Sequence, residues 1–490
     1  MSSAHISPDG AAASRTPRLG LGLALLALAQ LIFSLDLNIV FVALPEIGAD
    51  LGFSEQTQQW VVSAYVVFAG GFLLLGGRAA DLLGRRRMFV LALTVYAVSS
   101  MAGGLATSPG VIVAARAFQG VGGALLLPST LSLINTLFEE GPKRNRALAV
   151  WGGAGASGLT LGALLGGVLT QAFGWSAVFF VNVPLAAIVA LAALAVIPRD
   201  ARARGRRRFD IPGALTVTGG ATLLVFALVQ GPEAGWADPT IVGAFVLAVA
   251  LLAAFTAIES RSADPLMPFH LFGNRSLVVG VIVTAVYMGT FGALPYFLTV
   301  LFQRVHGFTA LETGLAFLIP SLAIAGGTQL GERMTTRLGT RTTLLAGFVT
   351  GVLGTAVLAV GFDHDAGLLV AVPGLIVSGV GQGITWTAMW IASATGVAPE
   401  QQGVANGMAS TTLNLGNAVG LAVLIAMANA GLDGRTGEGL RVAIADGSRT
   451  AVLLAAAGML FGLLVTFALP RLTASAKRAP DHGETAVPAR

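Results

Sequence analysis

Long uninterrupted runs of apolar residues, separated by short polar segments, dominate the chain. Each run is about 20 residues long, the length that an α-helix needs to cross the hydrocarbon core of a bilayer. The predicted runs are 19–44, 59–76, 88–106, 110–137, 147–170, 177–197, 211–230, 240–258, 277–302, 310–330, 342–361, 368–395, 403–428 and 450–469. The pattern therefore predicts an all-α polytopic membrane protein with 14 transmembrane helices.

The spacing of the runs predicts five segments. Residues 1–18 and 471–490 are polar tails, typical of disordered termini, and 19–197 and 277–470 each hold six helices. Residues 198–276 form a central insertion with two helices and their linkers. We therefore expect two six-helix halves joined by an inserted helix pair.

Composition narrows the class of protein. The 490 residues are 55% hydrophobic and 11% charged, whereas a soluble chain carries about 25% charged residues. A soluble enzyme is therefore excluded, and continuous apolar runs argue against an outer-membrane barrel, whose strands alternate. The chain has no cysteine and its five histidines are scattered, so we predict no disulfide and no metal site.

The positions of the basic residues predict the orientation. When the N-terminus is placed inside and the helices alternate, most of the 29 Lys and Arg residues fall in inside segments. The outside segments hold Arg304, Arg435, Arg441 and Arg449. This bias predicts an inner (plasma) membrane protein with both termini in the cytoplasm. The arginine-rich run 199–208 is then a topology anchor, and no nucleic-acid partner is expected.

Short glycine patterns recur in the same order in the two halves. The Gly-Val-Gly segment 120–122 returns as 379–381, and the Gly-x-x-x-Gly segment 162–166 returns as 416–420. Repeated six-helix halves are typical of transporters, whose substrate site lies at the interface between the halves.

The loop after the second helix combines glycines, one aspartate and a row of arginines. It resembles the G-x-L-A-D-R-x-G-R-R loop of the major facilitator superfamily, although Ala79 and Leu82 stand where that pattern favours Leu and Arg. We expect Asp81 to accept backbone N–H bonds at the start of the third helix. The resemblance implies a gating loop; a plain topological turn is the alternative. Its candidate residues are Gly77, Asp81, Gly84, Arg85 and Arg86.

Two charged residues lie inside predicted membrane helices. Asp36 stands in a segment that resembles the L-D-x-T-I-V-N-V-A-L-P motif of 14-helix drug:proton antiporters, with Asn38 and Phe41 replacing Thr and Asn. Arg116 and Gln119 stand in a segment that resembles the superfamily's R-x-x-Q-G-x-G motif. A membrane carboxylate is costly and is therefore a candidate proton carrier; a permanent structural pair is the alternative.

The positions of Asp36 and Arg116 along their predicted helices indicate that their charges interact. Asp36 lies about 12 Å and Arg116 about 10 Å from the same ends of their predicted helices. We expect both to share the outer half of the cavity. Alternatively, Arg116 binds backbone carbonyls or groups near Gln119.

The fifth helix carries a stripe of small residues. Gly158, Gly162, Gly166 and Gly167 resemble the antiporter motif G-x-x-x-G-P-x-x-G-G, with Ala163 at the proline position. Such a stripe allows another helix backbone to approach closely. Ordinary tight packing is the alternative to a role in antiport.

The resemblance covers about residues 19–470 and implies the 14-helix drug:proton antiporter family. It implies multidrug or antibiotic efflux by alternating access, with small molecules and protons as partners and the proton gradient, not a cofactor, as energy source. A narrow-substrate metabolite transporter is the alternative, and a membrane receptor or enzyme a remote one. Candidate cavity residues are Asn38, Gln119, Tyr287, Trp386 and Trp390; the aromatic rings could hold a flat drug or a cation, or simply pack.

Overall fold

The computed structural model describes residues 16–53, 58, 60–200, 210–262, 265, 267–308, 310–429 and 435–470. Most of the predicted tails and the run 201–209 of the predicted anchor lie outside the described residues. Helices form nearly all of the described part, and no strand occurs in it.

Fourteen helices follow one another in these ranges. They are α1 (Thr16–Leu51), α2 (Trp60–Leu83), α3 (Arg85–Gly104), α4 (Pro109–Leu137), α5 (Pro142–Phe173), α6 (Ala177–Val196), α7 (Ile211–Ala234), α8 (Pro239–Glu259), α9 (Arg275–Val305), α10 (Glu312–Leu338), α11 (Thr340–Val360), α12 (Leu368–Ala394), α13 (Gln402–Asn429) and α14 (Gly437–Thr466). Within the described residues, 13 helices are apolar and long enough to cross a membrane; α5 contributes the shorter apolar segment Leu164–Phe173. The predicted helix count is therefore closely matched.

Four predicted helix ends are wrong by seven residues or more. The second and tenth helices end at Leu83 and Leu338, where the prediction had 76 and 330, and the first and last helices also differ. The prediction ended the first helix at residue 44, but α1 continues past Pro45 to Leu51. The prediction began the last helix at residue 450, but α14 begins at Gly437. Its first turns are polar, which hid them from a search for apolar runs, yet Ala443 and Ala445 are buried there.

The repeated glycines make equivalent contacts in the two halves. A Cβ on Gly162 of α5 would overlap the carbonyl oxygen of Leu35 in α1. A Cβ on Gly416 of α13 would overlap the carbonyl oxygen of Ala285 in α9. The backbones of α5 and α13 therefore rest on α1 and α9 in the same way, which gives the sequence repeat a physical meaning.

The Gly-Val-Gly segments follow the same rule. Gly120 of α4 lies against the backbone of Tyr65 in α2, and Gly379 of α12 lies against that of Pro320 in α10. Small residues allow such close approach inside a membrane, where burying apolar side chains adds little attraction between helices.

The halves, α1–α6 and α9–α14, meet along two seams. Helix α2 packs against α13, and α5 packs against α10. The inserted helix α7 contacts both α2 and α13, and Thr222 and Val225 of α7 lie on Gly71 and Gly70 of α2. The insertion therefore covers the first seam.

The bundle has two ends, for which we use fixed names. The basic face holds the turns at 84, 138–141, 339 and 395–401, and the opposite face holds the turns at 105–108, 174–176 and 361–367.

Substitution of Gly162 by alanine will lower the stability of the chain by about 1–3 kcal/mol, because the new methyl group must push α1 away from α5. Thermal unfolding of the purified protein in detergent measures this. Gly167→Ala is the matched control on the same helix, since no atom lies within 4 Å of a Cβ there. Equal unfolding temperatures for the two variants would contradict the assigned contact.

Candidate functional site

Asp36 and Arg116 form a buried ion pair. The Arg116 Nη1 group donates to Oδ2 of Asp36 over 2.6 Å, and the side chains are 1% and 0% exposed. The Arg116 Nε group donates to the carbonyl oxygen of Val61 over 2.9 Å. Both partners that the sequence suggested for Arg116, the carboxylate and a backbone carbonyl, are therefore present.

Two amides complete the surroundings of the carboxylate. Gln119 accepts from Arg116 over 2.7 Å and donates to Oδ1 of Asp36 over 2.9 Å. It also donates to Oγ of Ser100 over 2.8 Å. Asn182 donates to Oδ1 of Asp36 over 2.9 Å. Helices α4 and α6 thus bond directly to the carboxylate of α1, and α3 joins through the bond between Gln119 and Ser100.

An aromatic ring from a fifth helix closes the group. Cζ of Arg116 lies 4.4 Å from the ring centroid of Tyr65 in α2, a cation–π contact. Sequence reasoning missed Tyr65, Ser100 and Asn182 as members of this site. Their polar atoms inside apolar runs were the available signal, because buried polar groups need partners.

The predicted setting of the pair needs correction. Because α1 extends to Leu51, Asp36 lies about 22 Å from that helix end, not 12 Å. Both charges are enclosed among helices of the first half instead of lining an open cavity. The side chains point into helix–helix contacts, which helix depth alone does not reveal.

The predicted role of Asp81 at the third helix is wrong. Its carboxylate accepts the backbone N–H groups of Gly403 and Val404, each over 3.0 Å, at the start of α13 in the other half. Asp200 takes the predicted place and accepts from the N–H groups of Arg86 and Arg87 at the start of α3. Asp81 lies in the last turn of α2, and its side chain contacts the other half of the molecule instead of α3.

The rest of this loop supports the same contact between halves. Arg85 lies 3.5 Å from the Asp81 carboxylate and also donates to the carbonyl oxygen of Pro399. A Cβ on Gly77 would overlap the carbonyl oxygen of Gly403. Gly84 has φ of 104°, which favours glycine at the turn into α3. We call Asp81, Arg85, Gly403 and Val404 the basic-face latch.

The glycines of the α5 stripe differ in how closely they pack against other helices. A Cβ on Gly158 would lie 2.5 Å from the carbonyl oxygen of Leu31, so Gly158 and Gly162 both face α1. Gly166 is buried, whereas a Cβ on Gly167 would meet nothing within 4 Å. Close packing therefore accounts for the first part of the motif only.

The candidate cavity residues separate into two places. Gln119 is fully buried in the Asp36 network, and the half-buried Asn38 lies beside Gly162. Tyr287, Trp386 and Trp390 instead lie together near the interface of the halves, with ring centroids 5.5 and 5.7 Å apart. Trp151 of the first half joins them, a partner that sequence reasoning missed.

Known proteins match this chain over most of its length. The family model described as the Major Facilitator Superfamily matches residues 26–421. The puromycin resistance protein of Streptomyces alboniger is 38% identical over 83% of this chain and 81% of its own length. The cephamycin export protein of Amycolatopsis lactamdurans is 36% identical over 87% of this chain and 88% of its own length.

Solved structures share the fold at low identity. The human organic anion transporter MFSD10 is 18% identical, with a TM-score of 0.65, over 91% of this chain and 98% of that one. The proton:xylose symporter XylE is 16% identical, with a TM-score of 0.64, over 91% and 96%. Together with the two six-helix halves and the family match over 26–421, this means that the chain belongs to the major facilitator superfamily of membrane transporters.

Proposed function

We propose that the chain is a proton-coupled antiporter that exports small amphipathic compounds across the plasma membrane by alternating access. The buried Asp36–Arg116 pair is the observation that carries the proton coupling. Relatives named for puromycin resistance, cephamycin export, and tetracenomycin C resistance and export support the direction of transport and the class of cargo. The proton gradient supplies the energy, and no cofactor takes part.

The pair couples protonation to conformation through its charge balance. A charge buried without its partner is costly, so removing one charge of a buried pair destabilises the arrangement that holds the other. A proton on Asp36 leaves Arg116 with Gln119 and the carbonyl oxygen of Val61 as its polar partners. The first half of the molecule then favours a different arrangement of α1 and α4. Protonation of Asp36 therefore biases the equilibrium between transporter states.

The basic-face latch is the second part of the mechanism. We assign the basic face to the cytoplasm, with both chain termini on that side, because basic loops stay inside. The Asp81 carboxylate complements the positive end of the α13 dipole and ties the halves together at this face. The described conformation is then closed to the cytoplasm, and inward opening requires these bonds to break.

Replacing Asp36 by asparagine will strongly reduce the release of protons that a transported compound causes in energised everted vesicles. The amide cannot carry the proton, so we expect the signal of a pH-sensitive dye to fall on the order of tenfold or more, which corresponds to about 1.4 kcal/mol. The assay uses a panel of antibiotics and lipophilic cations at equal expression.

Asp50→Asn is the matched control for this experiment. Asp50 is an exposed carboxylate at the end of the same helix and accepts from Nε1 of Trp175 over 2.9 Å, away from Asp36. It should respond as the native chain does. If Asp36→Asn also responds normally, Asp36 is not the proton carrier.

Replacing Asp81 by alanine will open the basic face more often. Hydrogen bonds to a charged group contribute about 1.5–3 kcal/mol each, so their loss should raise exposure of the interface about tenfold or more. The chain has no cysteine, so Ser410→Cys, fully buried in α13, offers a unique thiol. Its rate of reaction with a membrane-impermeant maleimide, added from the basic face, measures the opening.

Asp200→Ala tests whether the effect is specific to contacts between halves. Like Asp81→Ala, it removes two backbone hydrogen bonds at the start of a helix. Both donors, however, lie in α3, in the same half as Asp200. The labelling rate should stay near the native value. A rise as large as that of Asp81→Ala would argue against the latch.

A further inference from the structure

Three indole rings form a cluster between the two halves. Trp151 of α5 stacks on Trp386 of α12 with centroids 6.0 Å apart and planes inclined by 13°. Trp390, one turn after Trp386, meets both edge-on at 5.6 and 5.7 Å. Tyr287 of α9 packs on Trp386 at 5.5 Å. We call Trp151, Trp386 and Trp390 the indole cluster.

The indole N–H groups of this cluster have no acceptor in the described part of the chain. All three Nε1 atoms are covered, and none has a hydrogen-bond partner there. Trp151 and Trp390 are 0% and 2% exposed. Buried Trp N–H groups usually find a partner, so three orphaned donors in one cluster point to a group that supplies acceptors from outside the protein.

One ring of the cluster is partly exposed, although all three Nε1 atoms are covered. Trp386 is only half-buried, as is Gln382, one turn earlier on the same helix. A Cβ on Gly152 would lie 2.5 Å from Nε1 of Trp386, so a glycine is needed for the ring to lie flat against α5. Nε1 of Trp386 thus faces α5 of the first half across the seam, so separation of the halves would uncover it.

The hydrogen-bonding groups of the indole rings are all donors. An indole N–H is a donor and never an acceptor. The described ring contacts of the cluster are with one another and with Tyr287. The carboxylate of Asp36 is already occupied by Arg116, Gln119 and Asn182 within the first half. The cluster therefore offers hydrogen-bond donors and flat apolar surfaces.

We propose that the indole cluster selects the cargo, and that it takes flat aromatic compounds bearing carbonyl or phenolic oxygens in preference to lipophilic cations. The inference rests on the proposed export function. The oxygens accept from the indole N–H groups, and the aromatic body packs on the rings. A cation without acceptors leaves all three N–H groups unpaired.

The test compares the affinities of two ligands for the native chain and for variants, as a thermodynamic cycle. Equilibrium dialysis of the purified full chain measures Kd for 9,10-anthraquinone and for anthracene, which lacks the two carbonyl oxygens. The native chain should prefer the quinone. In Trp386→Phe and Trp390→Phe, which keep a ring but lose the N–H, this preference should fall about 3- to 10-fold each. Differences in ligand partitioning into detergent cancel in the cycle.

Trp236→Phe is the control variant. Trp236 is 49% exposed and packs on Gly231 in the insertion, outside the cluster. It should keep the native preference for the quinone. A control that changes as much as the cluster variants would overturn the assignment.

Three other outcomes would also overturn the proposal: no preference for the quinone in the native chain, an unchanged preference in both cluster variants, or tighter binding of tetraphenylphosphonium than of the quinone. The ligand comparison on the native chain needs no variant, so misfolding cannot leave the question open. The vesicle assay separates the two proposals. If native vesicles export other compounds but the chain does not prefer the quinone, only the cargo class is wrong; if they export nothing on the panel, the proposed function fails.

Discussion

The ion pair of Asp36 and Arg116 constrains the arrangement of helices α1, α3, α4 and α6. A charge in the hydrocarbon region must find a partner inside the protein. Here the partners come from α1 and α4, and Ser100, Gln119 and Asn182 extend the hydrogen bonds to α3 and α6. Displacing any one of these helices would leave a buried polar group unpaired. The pair therefore holds these helices in register.

The second half repeats the packing but not the charges. Contacts with equivalent glycines place Ala285 of α9 where Leu35 stands in α1. The next residue is Val286, at the position of Asp36. The offset from Gly120 to Gly379 places the buried Leu375 at the position of Arg116. Helix packing by small residues is thus shared by both halves, whereas the proton-coupling chemistry that we propose belongs to the first half alone.

Contacts between the halves have a different character from contacts within them. At the basic face, Asp81 binds the start of α13, and Asn145 donates to Oγ1 of Thr336 across the second seam. Deeper along the helices, Trp151 stacks on Trp386. These contacts lie along the seams where α2 packs on α13 and α5 packs on α10. Alternating access requires such an interface between repeats to open while each repeat stays intact.

The sequence by itself determined the number of helices closely and placed Asp36, Arg116 and the glycines inside them. These features depend on run length, on residue type and on the cost of charge in a membrane, all of which are local. Only the tertiary structure decided that Asp81 binds the other half, that Asn182 reaches Asp36, and that Trp151 completes the indole cluster. Such partners lie far apart in the chain, and helix periodicity sets which face a residue occupies but not which helix packs against that face.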